Sequence, residues 1–303
     1  FPDSEVTREA VFINDRIYLN DNTTAVLGAR YDSYDQKAKT DALHARNNVF
    51  GHEVKPRSDS QLSMKVGLIR DISGDMSLFL QYAEGYRNPN FDEAYNTYTN
   101  LAQMYTIIPN PNITAETSEG FEIGLRGSLS NTSWSLAYYK NDYKDFIAYE
   151  YLFPPIQGVL QVQYQNLGSV ETNGIEFESK TLFNDNLSAS FGISLNEGRE
   201  DDGYLDSLSP DHAKISLSWI SDSGRLRWNT VSTLMESSRA TLSPVCGRSG
   251  ACSPAQETAG RVTLDTYLNF DITEKVNIKF GVRNLTDKKY WDYPTIAGQA
   301  AGT

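Results

Sequence analysis

Along most of the chain apolar and polar residues alternate one by one, the period of a β-strand with two unlike faces. From Leu187 to Asn196, Leu187, Ala189, Phe191, Ile193 and Leu195 share one face, while Ser188, Ser190, Gly192, Ser194 and Asn196 share the other. Leu264, Thr266, Leu268, Phe270 and Ile272 alternate with Asp265, Tyr267, Asn269 and Asp271. Val276, Ile278, Phe280 and Val282 alternate with Asn277, Lys279, Gly281 and Arg283, and Phe121, Ile123, Leu125 and Leu129 oppose Glu122, Arg126 and Ser128. Looser versions cover residues 11–19, 25–31, 62–69, 78–86, 134–143, 175–183, 213–220 and 226–234. The pattern predicts about twelve strands, each near the roughly 9–11 residues with which a tilted strand crosses a bilayer. Helical spacing is almost absent.

The connections predict how the strands are strung. Short links at residues 20–22, 72–75, 130–132, 184–186, 221–224 and 273–275 are built from Asn, Asp, Ser, Gly and similar residues, which tight hairpin turns favour. They alternate with long segments at residues 33–58, 87–117, 145–169, 197–212, 236–260 and from 286 to the end. One tight rim and one long rim is the signature of a membrane meander. A soluble sandwich would not keep its two ends so unlike, and no repeat of fixed length supports a solenoid. The expected fold is all-β, an antiparallel up-and-down transmembrane β-barrel. Trp134, Trp219, Trp228, Tyr31 and Tyr86 stand near strand ends, where interfacial girdles place aromatic rings.

Composition narrows the picture. A mean hydropathy of −0.47 and the lack of a long apolar run exclude a helical membrane protein. They do not exclude a barrel, in which only every second strand residue meets lipid. The net charge of −12 disfavours a nucleic-acid partner and fits solvated loops. Cys246 and Cys252, the only cysteines, flank a short Gly/Ser-rich stretch and are expected to close a small disulfide loop. No secretory leader pattern opens the chain, so any targeting signal is expected outside it. An open sheet leaves edges that lipid cannot satisfy. An upstream portion and one downstream closing strand are therefore expected to complete the barrel.

Several stretches, in order, resemble TonB-dependent outer-membrane receptors, specifically the haem/haemoglobin branch. Residues 82–93, with Tyr86, Arg87, Asn88 and Pro89 at their centre, are similar to the family's FRAP box, Asn88 standing in place of Ala. Asn110, Pro111, Asn112 and Ile113 resemble its NPNL box, and residues 120–127 the strand that follows. Residues 166–178, ending in Asn173-Gly174-Ile175-Glu176, and residues 282–290, with Asn284-Leu285-Thr286-Asp287, resemble two later family segments. The resemblance implies that these strands are the C-terminal part of a barrel of about 22 strands, in the bacterial outer membrane with long loops extracellular. It also implies a plug and a TonB-contacting segment upstream, neither within this chain.

The resemblance further implies that the loop between the two boxes is external and that a His in it ligates haem iron. Here residues 90–109 contain no His but do contain Tyr95, Tyr98 and Tyr105, with Met104 alongside. A Tyr phenolate can ligate ferric haem. His44 and His52 share the 33–58 loop and are close enough in sequence to flank a porphyrin. His212, beside Pro210 and Asp211, is expected to make a structural hydrogen bond. The carboxylates of Glu200, Asp201 and Asp202 and of Asp32 and Asp35 match no calcium-loop spacing and are expected to be solvated. No Ser-His-Asp set, Cys-His pair or Gly-rich phosphate loop stands out, so no enzyme and no intrinsic cofactor are expected. The expected function is TonB-dependent uptake of haem, from free haem or a host haem protein. A siderophore or other small-nutrient receptor and a non-transport adhesin-like barrel are the alternatives.

Overall fold

The computed structural model describes residues 2–166, 168–200, 203–205, 208–237 and 258–290. The chain begins with β1 (Asp3–Asn20), β2 (Thr23–Lys39), α1 (Ala42–Asn47), β3 (Arg57–Ser73), β4 (Met76–Arg87) and α2 (Phe91–Tyr95). It continues with β5 (Thr99–Asn100), β6 (Tyr105–Ile108), β7 (Glu116–Leu129), β8 (Thr132–Lys144), β9 (Ile147–Ile156) and β10 (Val159–Asn166). Then come β11 (Ser169–Leu182), β12 (Leu187–Glu200), β13 (Gly203–Tyr204), β14 (His212–Ile220), β15 (Leu226–Met235), β16 (Arg261–Thr273) and β17 (Val276–Val282). The main sheet has the order β1-β2-β3-β4-β7-β8-β11-β12-β14-β15-β16-β17, with β13 attached to β12. Every skipped number lies in a long connection, so the meander expected from the alternation is present. Among the described residues no helix is long and apolar enough to cross a membrane. Cys246 and Cys252 lie outside the described residues, as do Asp201 and Asp202.

The chain divides into two compact units. One comprises Ile69–Leu80, Glu122–Lys140 and Thr172–Thr303. Within it, directly opposed residues carry the sequence alternation across neighbouring strands. Leu187 faces Trp219, Trp219 faces Trp228, Trp228 faces Leu268 and Leu268 faces Phe280, one apolar row over five strands near the short turns. The adjacent row, on the other face, reads Ser188, Ser218, Asn229, Tyr267 and Gly281. A slip of one residue in any pair would mix the two, which is why the pattern fixes the register. Trp219 and Trp228 are directly opposed near the short turns, and the Trp228 indole donates to Thr266 Oγ1 at 2.9 Å.

The other unit comprises Phe1–Leu68, Gln81–Phe121 and Asn141–Glu171. Here β1 and β2 run well past the predicted windows at residues 11–19 and 25–31, pairing from Asp3↔Lys39 to Asn20↔Thr23. Their outer halves are too polar to show alternation. The backbone ladder continues regardless of side chains, and cross-strand ion pairs line it: Lys39–Glu5 at 2.9 Å and Arg8–Asp32 at 3.0 Å. Arg30 also binds Asp32, at 2.7 Å, so that carboxylate is neutralised by two guanidinium groups rather than solvated as expected.

The larger departure lies in the long connections. Residues 87–117 and 145–169 are not simple loops: they build a second sheet, β5-β6-β10-β9, in which β6 and β10 pair in parallel. The near-absence of helical spacing also missed α1 and α2, each a single capped turn or little more, too short to display a period. Most buried apolar side chains belong to these connections: Ala94, Tyr95, Ile108, Ile113, Ala115, Ile147, Val159 and Val162. The sheet itself leaves Leu62, Met64, Val66, Ile278 and Phe280 exposed. Uncovered apolar side chains of this kind on strand faces call for lipid.

Close packing between strands yields one prediction. A Cβ on Gly124 would clash with the edge of the Phe79 ring and lie 2.6 Å from the Leu136 carbonyl oxygen, whereas one on Gly74 would meet nothing within 4 Å. Gly124→Ala should destabilise the purified receptor by about 1–3 kcal/mol, and Gly74→Ala by less than about 0.5 kcal/mol. Urea titration in detergent measures both.

Candidate functional site

The residues that carry the family resemblance fold into a clamp. Arg87, the last residue of β4, reaches Glu93 on α2 at 2.9 Å and Glu116 at the start of β7. Both carboxylates are only 10% exposed. Glu93 also accepts the Asn90 N–H at 2.8 Å while Asn90 Oδ1 accepts the Glu93 N–H at 2.9 Å, a reciprocal capping box that starts α2. The second Glu116 oxygen accepts the Ile147 N–H at 2.6 Å, where β9 begins. One arginine and two glutamates therefore fasten both long connections to the end of β4. Around them Pro89 is fully buried, and Asn88, the departure from the FRAP pattern, donates to the Tyr86 hydroxyl at 2.6 Å.

The second motif is stitched to β10. Asn110 donates to the Tyr164 carbonyl at 2.8 Å and accepts the Asn112 N–H at 3.0 Å around Pro111. Ile113 is buried, and its carbonyl accepts from the Arg57 guanidinium. Asn166 accepts the Thr114 N–H at 2.8 Å and donates to the Thr114 and Asp145 carbonyls at 3.1 and 2.6 Å. These Asn side chains satisfy backbone groups that irregular segments leave without ladder partners.

The candidate ligand residues are placed very differently from one another. Tyr95 is 1% exposed, and its hydroxyl donates to the Gln36 carbonyl at 2.9 Å, pinning α2 onto β2. Tyr98 is well exposed and packs tilted against Tyr105, ring centroids 6.1 Å apart. The two sit on adjoining strand ends because the Ile107 N–H donates to the Tyr98 carbonyl at 2.7 Å and β5 pairs with β6. His44 is buried on α1, whose N-cap Asp41 accepts the His44 N–H at 2.7 Å. His52 is held by Asn48, which accepts its N–H at 2.9 Å and donates to its carbonyl at 2.7 Å. Both imidazole Nε2 atoms are buried without a hydrogen-bond partner. Burial pushes both imidazoles below their ordinary pKa, so they are neutral at pH 7. His212 makes its expected local contact, its Nδ1 lying 3.3 Å from the Pro210 carbonyl.

Composition had not singled out the outer strand of the small sheet. On β9, Tyr149, Tyr151 and Phe153 occupy alternate positions and are all exposed. Tyr149 stacks on Tyr164 of β10, its directly opposed neighbour, with centroids 3.8 Å apart. Burial first, then Tyr149 and the carboxylates of Asp92 and Glu93, push the Tyr164 phenol well above its usual range. The i, i+2, i+4 spacing of these aromatics was visible in the sequence, inside a segment whose length marked it as a loop. Glu116, Gln36 and Asn166 gave no comparable signal, since each acts through contacts distant in sequence.

Comparisons with known proteins agree with this architecture. A family model described as "TonB dependent receptor-like, beta-barrel" matches residues 1–285. The chain is 24% identical to the hemoglobin-haptoglobin utilization protein B of Neisseria meningitidis serogroup A, over 93% of this chain. It spans only 38% of that relative's length. Among solved structures it superposes on the copper transporter OprC with a TM-score of 0.73 at 16% identity, covering 95% of this chain and 43% of that one. For the pyoverdine outer membrane receptor FpvA from Pseudomonas aeruginosa PAO1 the figures are 0.72, 15%, 95% and 39%.

Two predictions follow from the clamp and the histidines. Arg87→Ala would leave two carboxylates facing each other near the protein interior; with Arg87 itself 45% exposed, the cost is about 1–3 kcal/mol. Limited proteolysis of the receptor should then cut residues 88–115 and 145–168 together and sooner than in wild type. A folded imidazole pKa below the unfolded one means that local stability is full above pH ~6.5 and declines as pH falls through that value. Hydrogen exchange in residues 40–56, corrected for intrinsic rate, should accelerate between about pH 7 and pH 5. The double variant His44→Leu, His52→Leu should remove that dependence.

Proposed function

The chain belongs to the TonB-dependent receptor β-barrel family of the bacterial outer membrane, and from that premise we propose that it forms the C-terminal part of the barrel of a haem uptake receptor. Its cargo is haem, captured free or from a haem protein, and energy arrives from TonB through upstream parts of the whole receptor. The short turns then face the periplasm and the long connections face outside. The observation that carries this reading is the likeness to a hemoglobin-haptoglobin utilization protein over 93% of the chain. The family's transport role also fits a receptor rather than an enzyme.

Candidate iron ligands support this reading. Tyr98 and Tyr105 project from the clamped segment between the two motif boxes, where a deprotonated phenol would take ferric haem as an axial ligand. Tyr95, enclosed and bonded to Gln36, holds the segment in place instead. His44 and His52 are neutral imidazoles with unengaged Nε2 atoms, the form in which His binds a metal.

A second reading, uptake of a siderophore or another small nutrient, is favoured by the absence of His from residues 90–109. Hemin titration of the full receptor separates the two. Haem uptake predicts a Soret shift, competition by haemoglobin, and about tenfold weaker binding in Tyr98→Phe or Tyr105→Phe, consistent with loss of one charge-assisted ligand. No Soret shift in wild type would reject haem. Unchanged affinity in both variants would reject the tyrosine ligands.

A further inference from the structure

At the ends of β2 and β3 that lead to and from α1, polar side chains are gathered without enough partners among themselves. Arg57, the first residue of β3, is half-buried. Its one hydrogen bond among the described residues goes to the Ile113 carbonyl, which leaves most of its five N–H donors unengaged. The titratable groups close enough to act on it are Tyr95, Asp59, Tyr86 and Tyr34. Asp59 makes no ion pair with it: that carboxylate accepts the Ser60 N–H at 2.8 Å and borders the Tyr86 hydroxyl. Two of the three hydroxyls are also spent, Tyr95 on the Gln36 carbonyl and Tyr86 on the Asn88 amide. The Tyr34 hydroxyl has no hydrogen bond among the described residues, and both Arg57 and Arg8 act on it.

Two enclosed groups nearby are likewise unmatched. Gln36, two residues beyond Tyr34 and so on the same face of β2, is fully buried, yet neither atom of its amide has a partner. The Thr97 hydroxyl, two residues past Tyr95, is buried and unbonded as well. Native structures pair nearly all such atoms, so an outside group is called for. The donors decide its chemistry. Asp32 already binds both Arg8 and Arg30, so three guanidinium groups here face two carboxylates. A cation would be repelled, and an apolar group would strand the donors. A carboxylate offers two acceptor oxygens to the planar fork of an arginine and removes the penalty of a desolvated, unpaired charge.

We propose that Arg57, with the Tyr34 hydroxyl and the Gln36 amide, is the seat for a carboxylate of the cargo, a haem propionate. This rests on the haem reading above, in which the iron is held elsewhere and the propionate edge of the porphyrin still needs a receiver. A carboxylate from an upstream part of the same receptor would share that chemistry, and the test separates the two sources.

The full receptor in detergent is titrated with hemin and with hemin dimethyl ester, which keeps the iron and lacks the propionate charges. Wild type should bind hemin about tenfold more tightly than the ester, the worth of one charge-assisted pair. Arg57→Gln should lower hemin affinity to that of the ester and leave the ester unchanged, while Arg57→Lys restores part of the difference. Tyr34→Phe, which removes no bond within the chain, should weaken hemin alone by about threefold. Equal weakening of hemin and ester by Arg57→Gln would mean that Arg57 acts only by holding the Ile113 carbonyl, and the subsite would be wrong. Equal affinity of wild type for hemin and ester, or hemin binding untouched by both Arg57→Gln and Tyr34→Phe, would assign the seat to the receptor's own carboxylate and leave haem uptake standing. Binding of neither compound by wild type would remove the haem reading and the subsite together.

Discussion

Where a chain meets hydrocarbon, no water is at hand for its amide and carbonyl groups, so every one must find a partner in the protein. The main sheet follows from that demand. Each strand between the end strands β1 and β17 bonds to neighbours on either side, and the two-residue period then decides which side chains meet lipid. The row Leu187, Trp219, Trp228, Leu268 and Phe280 beside the row Ser188, Ser218, Asn229, Tyr267 and Gly281 shows the sorting carried across five strands. Because backbone pairing supplies the cohesion, this sheet needs no buried apolar centre of its own.

The long connections obey a different rule. In water, with few ladder partners, they must bury apolar groups and cap their own backbone. That is why Tyr95, Ile108, Ile113 and Ile147 are buried here, and why Asn90, Asn110 and Asn166 each bond to main-chain groups. Arg87 joins the two regimes. It ends a strand of the main sheet and gathers Glu93 and Glu116, which in turn hold α2 and the start of β9. The family motifs thus act here as architecture.

That division explains what the sequence disclosed. Periodicity and turn composition are local, so the meander and its tight links were legible from short windows. The outer halves of β1 and β2 were not, because Asp3–Lys39 and its neighbours pair through backbone while most of their side chains are polar. The small sheet was hidden for another reason. Its parallel pairing joins Tyr105 to Leu160 and Ile108 to Gln163 across a long stretch of chain, which leaves no local trace. Among the candidate ligands, the residue types were readable but their enclosure was not: nothing near Tyr95 in sequence announces Gln36.

The parallel pair of β6 and β10 also has a consequence for how the molecule is made. Between its two members the chain must first travel down β7 and back up β8, and only then can β10 arrive beside β6. Closing so wide a loop costs entropy before any contact rewards it. The small sheet can therefore take its final form only after the β7–β8 hairpin has formed, so its pairing is a late event in folding.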